Sequence, residues 1–346
     1  MTDALLFPRR RALLTLLAGL PLIGRAAMAT PVPRPVSTIP EAVVLIAGPD
    51  GGLLDRWSRV VQPALAQALP PETMLTRNAV GGPDGVTGAN QFATRGDPDG
   101  RTVLLAPGDA AIAWLVGDPR AKYDLSRWTS VMACLTPGVL VVRPGALRAR
   151  KAVRIALPHL ASTGLAGLLA LEILGVTAEP VLTVPADGVA AAFGRGAIDA
   201  AFARGHKVDR QVAELVAAGG QPLLALGGRD ETGRPVRDEA FPTLPVLTEL
   251  TQANGPLLDS FHAAATAARL ECTLVLPQLT PAARVALWRQ AAIEATAALD
   301  VQALALAVGA RVVGGAEASA AAPATSPPAL LALRQWLVAR HKWQPA

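Results

Sequence analysis

The chain is poor in the residues that carry most enzyme and metal chemistry. It has two cysteines and four histidines in 346 residues. Cys134 and Cys272 lie far apart in apolar runs, and two cysteines alone cannot make a four-ligand zinc site. They read as small buried hydrophobes, with a disulfide chemically open to an exported protein. The histidines show no paired spacing, so no metal is expected. There is no G-x-S-x-G elbow, no H-E-x-x-H and no P-loop. The chain therefore reads as a non-enzyme without a cofactor. Aromatic residues are 4%, the net charge is +5 and the arginines are scattered, so the basic stripe of a nucleic-acid binder is missing. Past the N-terminus no apolar run reaches the roughly 18 residues that span a bilayer.

What is present is apolar and small. Hydrophobic residues make up 51% and charged residues 17%, which excludes a disordered chain and allows a large core. The mean hydropathy of +0.35 owes much to alanine. The length fits two domains, or one large one. The N-terminus is an address: Pro8-Arg9-Arg10-Arg11 precedes an apolar run to Ile23, and Ala27-Met28-Ala29 has the small-x-small pattern of a cleavage site. Residues 1–29 read as a signal peptide of the twin-arginine type, or a general secretory one with an extra arginine, directing the chain to the periplasm. Thr30 to Pro40 is a proline-rich lead-in.

The fold is organised around Ala42 to Asp55. Val43, Val44, Leu45 and Ile46 suit a strand buried on both faces. Gly48-Pro49-Asp50-Gly51-Gly52 breaks it, and a helical pattern follows to Leu69. A strand, a glycine turn and a helix put partnerless amides and the positive end of the helix dipole at a sheet's carboxyl edge, where an anion can sit. A second turn, Gly81-Gly82-Pro83-Asp84-Gly85, enters the next helix. Its Gly82-x-x-Gly85-x-x-Gly88 spacing lacks the first G-x-G and the acidic residue of a dinucleotide site. Strand Thr102 to Ala106 ends at Pro107-Gly108-Asp109. Short turns between alternating strands and helices predict a parallel α/β sheet whose crevice faces all three turns. The pattern restarts beyond Pro144-Gly145: strand Val153–Leu157, loop Pro158–Ser162, a helix from Thr163, and further strands to Leu226. Leu270 to Leu276 reads as a strand, Thr280 as a helix N-cap, and 316–327 as a loop.

Several separated motifs then resemble one family. They are Gly51-Gly52-x-x-Asp55, Asn78 with Gly81, Gly85 and Gly88, Pro98-Asp99-Gly100, Tyr123-Asp124, Pro242-Thr243-Leu244-Pro245 before Glu249, and Leu279-Thr280-Pro281. In order and spacing the chain resembles the periplasmic receptors of tripartite tricarboxylate transporters, the Bug family, as a divergent member. The resemblance implies a two-lobed type II binding-protein fold, each lobe a mostly parallel sheet flanked by helices with a cleft between. Lobe 1 would be residues 30–137 and 272–346, and lobe 2 residues 138–271. It implies a small carboxylate ligand, held at one end by Pro49, Gly51, Gly52, Gly81, Gly82 and Gly85. The other end would meet Leu157 to Gly164, with His159 in that loop and Ser162, Thr163 and Gly164 at the helix start. The implied partners are the ligand and the membrane permease subunits; a membrane sensor is the other reading.

The departures fall on charge. Asp50 stands in a turn that family members usually keep neutral, Asp109 where they often carry a hydroxyl, and Asp187 in a stretch that has lost an aromatic and a basic residue. Two cleft carboxylates would repel a dianion by about 4 kcal/mol each at 4 Å. The ligand is then a monoacid with a cationic or hydroxylated end, or Asp50 and Asp109 point away. Asp50 could also cap the first helix, and Ser162 and Thr163 could cap theirs. Arg204 and His206 could reach the cleft as anion partners or face solvent. Closure is expected about crossings near Thr136–Pro144 and Leu270–Pro277.

Overall fold

The computed structural model describes residues 39–148, 151–182, 188–229 and 234–344. The signal-peptide residues and Asp187 lie outside the described residues. The chain runs β1 (Glu41–Ala47), α1 (Leu53–Ala68), β2 (Met74–Val80), α2 (Val86–Arg95), β3 (Thr102–Ala106), α3 (Gly108–Val116) and β4 (Trp128–Leu135). It then continues through β5 (Gly138–Val142), β6 (Val153–Ala156), α4 (Leu165–Ile173), β7 (Ala178–Val181), α5 (Val189–Gly194), β8 (Ala200–Arg204), α6 (Val208–Ala217) and β9 (Gln221–Ala225). A two-strand ribbon, β10 (Gly228–Arg229) and β11 (Pro235–Val236), leads to α7 (Leu247–Leu250) and α8 (Pro256–Arg269). Last come β12 (Leu270–Pro277), α9 (Ala282–Thr296), α10 (Leu299–Val308), β13 (Arg311–Gly314), α11 (Gly315–Ala320) and α12 (Pro327–His341).

Two mixed sheets define two lobes. The first has six strands in the order β13-β4-β12-β3-β1-β2, the second five in the order β7-β6-β8-β5-β9. β1 is parallel to both β2 and β3, so the turns that follow these three strands share one edge. β12 is antiparallel to β3, which brings the start of β12 to that same edge. In the second sheet β6 is parallel to β8, so the loop at 157–164 and Arg204 share its carboxyl edge.

The run Leu270–Leu276 is a central strand between β3 and β4, buried along its length; it is not a crossing. One crossing is the short step from β4 to β5. On the return, α8 packs against α3 and α12 and also against α4, so it ties both lobes together. The sequence reading missed α8 although Gly255-Pro256 marks its start; alanine covers most of its buried surface, at Ala263, Ala264, Ala265, Ala267 and Ala268. One continuous apolar cluster extends from Val44 and Leu104 through Phe261 to Leu140 and Leu168. Each such large side chain contributes about 1.5–3 kcal/mol when buried. Arg340 of α12 reaches across too, to Thr177 at 3.1 Å.

Two local readings change. Residues 316–327 are not all loop: α11 occupies Gly315–Ala320, and Ser319 Oγ donates to the Ser130 carbonyl at 3.1 Å. Alanine's helix propensity outweighs the loop-like composition there. The helix after β12 begins one residue later than expected, with Pro281 at its N-cap and no side-chain cap. Cys134 and Cys272 are free thiols directly opposite one another on β4 and β12, both fully buried. No single helix among the described residues is long and apolar enough to cross a membrane.

Candidate functional site

The first glycine turn turns inward on its own helix. Gly51 N–H donates to Asp55 Oδ2 at 2.9 Å, and Gly52 N–H to the Pro49 carbonyl at 3.1 Å. Asp55 is 1% exposed and is paired with Arg59 at 2.7 Å and Arg77 at 2.5 Å. Burial raises its carboxyl, but the hydrogen bonds from Arg59 and Gly51 and the charges of Arg59 and Arg77 outweigh that and hold it below the usual carboxylate range. Two amides expected to face a ligand are therefore spent inside the turn. Asp50 does not cap α1, whose N-cap is Gly52 without a side-chain bond. It is 84% exposed beside Arg59 at 3.6 Å, so it points to solvent.

The second and third turns are pressed together. Gly85 has φ +75°, and a Cβ there would stand 2.5 Å from Pro107 Cδ, so only glycine fits. Gly81, also at positive φ, is exposed, and Gly82 is half-buried. Behind the third turn, a Cβ on Gly108 would stand 1.9 Å from the Ala267 carbonyl oxygen of α8. That close approach fixes where α3 begins, and so where Asp109 projects.

Asp109 reaches from the first lobe to the second. Its Oδ1 accepts the Thr163 N–H at 3.2 Å, and its Oδ2 lies 3.8 Å from Arg204 Nη1. Arg204 in turn donates to Thr163 Oγ1. One carboxylate from the first lobe thus sits at the start of α3 and beside the turn that leads into α4, next to a guanidinium. Both helix starts favour a negative charge. Ser162 serves the loop instead, donating to the His159 carbonyl at 2.6 Å. Gly164 is the N-cap of α4, with Leu157 packed where a side chain would stand. His159 is exposed on the loop.

Glu271 belongs to this cluster and escaped the sequence reading. Leu270 pairs with Leu135 and Cys272 with Cys134, so Glu271 is one extra residue, a β-bulge at the start of β12. It is 3% exposed, and its Oε2 lies 3.6 Å from where a Gly205 Cβ would be. Burial pushes its carboxyl above the usual range, against the pull of Arg204, His206 and Arg56, with the Asp109 charge adding to the rise. The available signal was a single acid interrupting the run Leu270–Leu276.

The structure thus gathers Asp109, Thr163, Arg204 and Glu271, places Gly85 behind them, and leaves Asp50 outside. Among the described residues no group of three or more His, Cys, Asp or Glu side chains is arranged to hold a metal. A hollow of about 710 Å³ lined by Phe92, Tyr123, Trp128 and Gln278 lies at the opposite edge of the first sheet and includes none of the predicted residues.

No family model matches the chain, and no curated protein sequence does. Solved structures do. A ligand-free TctC solute-binding protein from Polaromonas is 17% identical, aligned over 86% of this chain and 97% of that one, with a TM-score of 0.62. The periplasmic binding protein BugD is 16% identical over 87% of this chain and 95% of its own, at 0.48. MatC from Rhodopseudomonas palustris, solved with bound malate, is 18% identical over 87% and 97%, at 0.49. The first of these carries the assignment of the fold: a two-lobed α/β architecture of the type II periplasmic binding proteins.

Proposed function

We propose that this chain is a periplasmic solute-binding receptor, a divergent member of the Bug family. It takes a small organic acid into the cleft between its lobes and presents it to the permease of a tripartite transporter. The observation that supports this most is a carboxylate held across the cleft: Asp109 of one lobe on the Thr163 amide and beside the Arg204 guanidinium of the other. What this edge does for an internal carboxylate it can do for a free one. The two lobes then close on the ligand, and the membrane partner reads the closed state.

A thermal-shift screen of short organic acids on the mature chain tests the proposal. One class of acid should raise the melting temperature in a concentration-dependent way, since a ligand that binds only the folded state stabilises it. A panel of mono- and dicarboxylates that leaves the melting temperature unmoved at millimolar concentration would remove this function.

A further inference from the structure

The four-residue cluster at the cleft says more about the ligand, granted the acid-binding reading above. Two buried polar atoms within it have no hydrogen-bond partner: Arg204 Nε, a donor, and Glu271 Oε1, an acceptor. Orphaned buried polar atoms are rare in folded proteins because each forfeits its bonds to water. Here one of each kind occurs on facing edges of two lobes. Glu271 is there because β12 carries an inserted residue, and bulges commonly re-aim a side chain beside a functional site. Gly205, next to Arg204 and without a side chain, leaves the space into which the Glu271 carboxylate extends.

We propose that the ligand is a small monocarboxylate carrying its own hydrogen-bond donor, an amine or a hydroxyl. Its carboxylate accepts from Arg204, its donor group bonds Glu271, and Asp109 excludes a second carboxylate. Asp109 already holds the Thr163 amide, so the far end of a dicarboxylate would meet a tethered competitor of the same charge. Glu271 adds a second acidic group to the same wall. An ammonium placed there would favour the ionised form that burial disfavours. A hydroxyl would gain only a neutral hydrogen bond.

Titration calorimetry of the mature protein with four classes of probe tests this: glycine and β-alanine, glycolate and 3-hydroxypropionate, propionate, and succinate. The donor-bearing monoacids should bind about tenfold or more tighter than propionate, with succinate weakest, since a polar site rejects the analogue that leaves it unpaired. Glu271→Gln, which keeps volume, should erase the advantage of the amines while retaining propionate binding. Asp109→Ser should raise succinate affinity about tenfold or more as the like-charge repulsion is removed. If succinate or propionate binds the native protein best, the inference is wrong and the acid receptor stands. If no probe binds native protein or folded variants, the receptor reading falls and takes the inference with it. Amines ahead of hydroxyacids, or the reverse, decides between the two donors.

Discussion

The first glycine turn and the loop before α4 hold the same place in a strand–turn–helix pattern, and the structure treats them as opposites. Both end a strand at a carboxyl edge, and both offer backbone amides to an anion. At each, one amide is in fact met by a carboxylate of the chain itself. At the first turn that carboxylate is Asp55, four residues from Gly51 and locked by Arg59 and Arg77. At the second it is Asp109, 54 residues from Thr163 and carried by the other lobe. The local pair cannot part without unwinding α1. The long-range pair parts whenever the lobes do. An anion site that keeps its own carboxylate permanently is a structural joint; one that borrows a carboxylate across a cleft is a place a ligand can compete for.

That contrast should be largest in stability. Asp55→Ala removes the buried carboxylate that accepts from Gly51, Arg59 and Arg77 and should cost about 2 kcal/mol, read as a fall in the denaturation midpoint. Asp109→Ser removes a half-exposed pair and should cost about 1 kcal/mol or less. Equal losses would erase the distinction between a structural joint and the proposed ligand site. Gly108→Ala strikes the support of Asp109: its Cβ would meet backbone oxygen at 1.9 Å. That overpacking should cost about 2 kcal/mol and shift the Thr163 amide resonance; an unshifted resonance would separate Asp109 from its seat on α3.

Glu271 gives a smaller effect with a definite sign. Its folded acid is raised, so the folded state binds more protons than the unfolded state between the two values. Its contribution therefore falls as pH climbs from about 4.3 upward through the raised value. Glu271→Gln should flatten that decline in denaturation midpoints measured from about pH 4 upward; an unchanged slope would place the Glu271 carboxyl in water. The smallest effect belongs to Asp50→Asn, which should stay within about 0.5 kcal/mol and leave ligand ranking unchanged, because Asp50 faces solvent.

Much of the fold was legible because it is written in period and punctuation. The apolar β-branched run Val43–Ile46, the glycine turns and the restart after Gly145 each mark an element directly. α8 was missed although Gly255-Pro256 marks its start, and α11 was missed because the prolines and serines that follow it gave the whole segment a loop-like composition. At the site, Asp109 was legible as a charge out of place, and Arg204 only as a charge at a strand end that could reach the cleft or face solvent. Glu271 was not, since a bulge depends on the register of the neighbouring strand and register is set by tertiary pairing. The engagement of the Gly51 and Gly52 amides was likewise invisible: Asp55 could be read as a dipole partner, but not as the turn's own anion.

The most direct test adds back what a mutation removes. In Asp109→Ser the Thr163 amide loses its carboxylate, and free acetate should take its place. Titrating acetate into the labelled variant should move the Thr163 amide resonance toward its native position, saturably, and at lower acetate concentration than any shift in the native protein, where Asp109 competes for the amide. A Thr163 resonance in the variant that ignores acetate at any concentration would contradict a cleft built to hold a carboxylate.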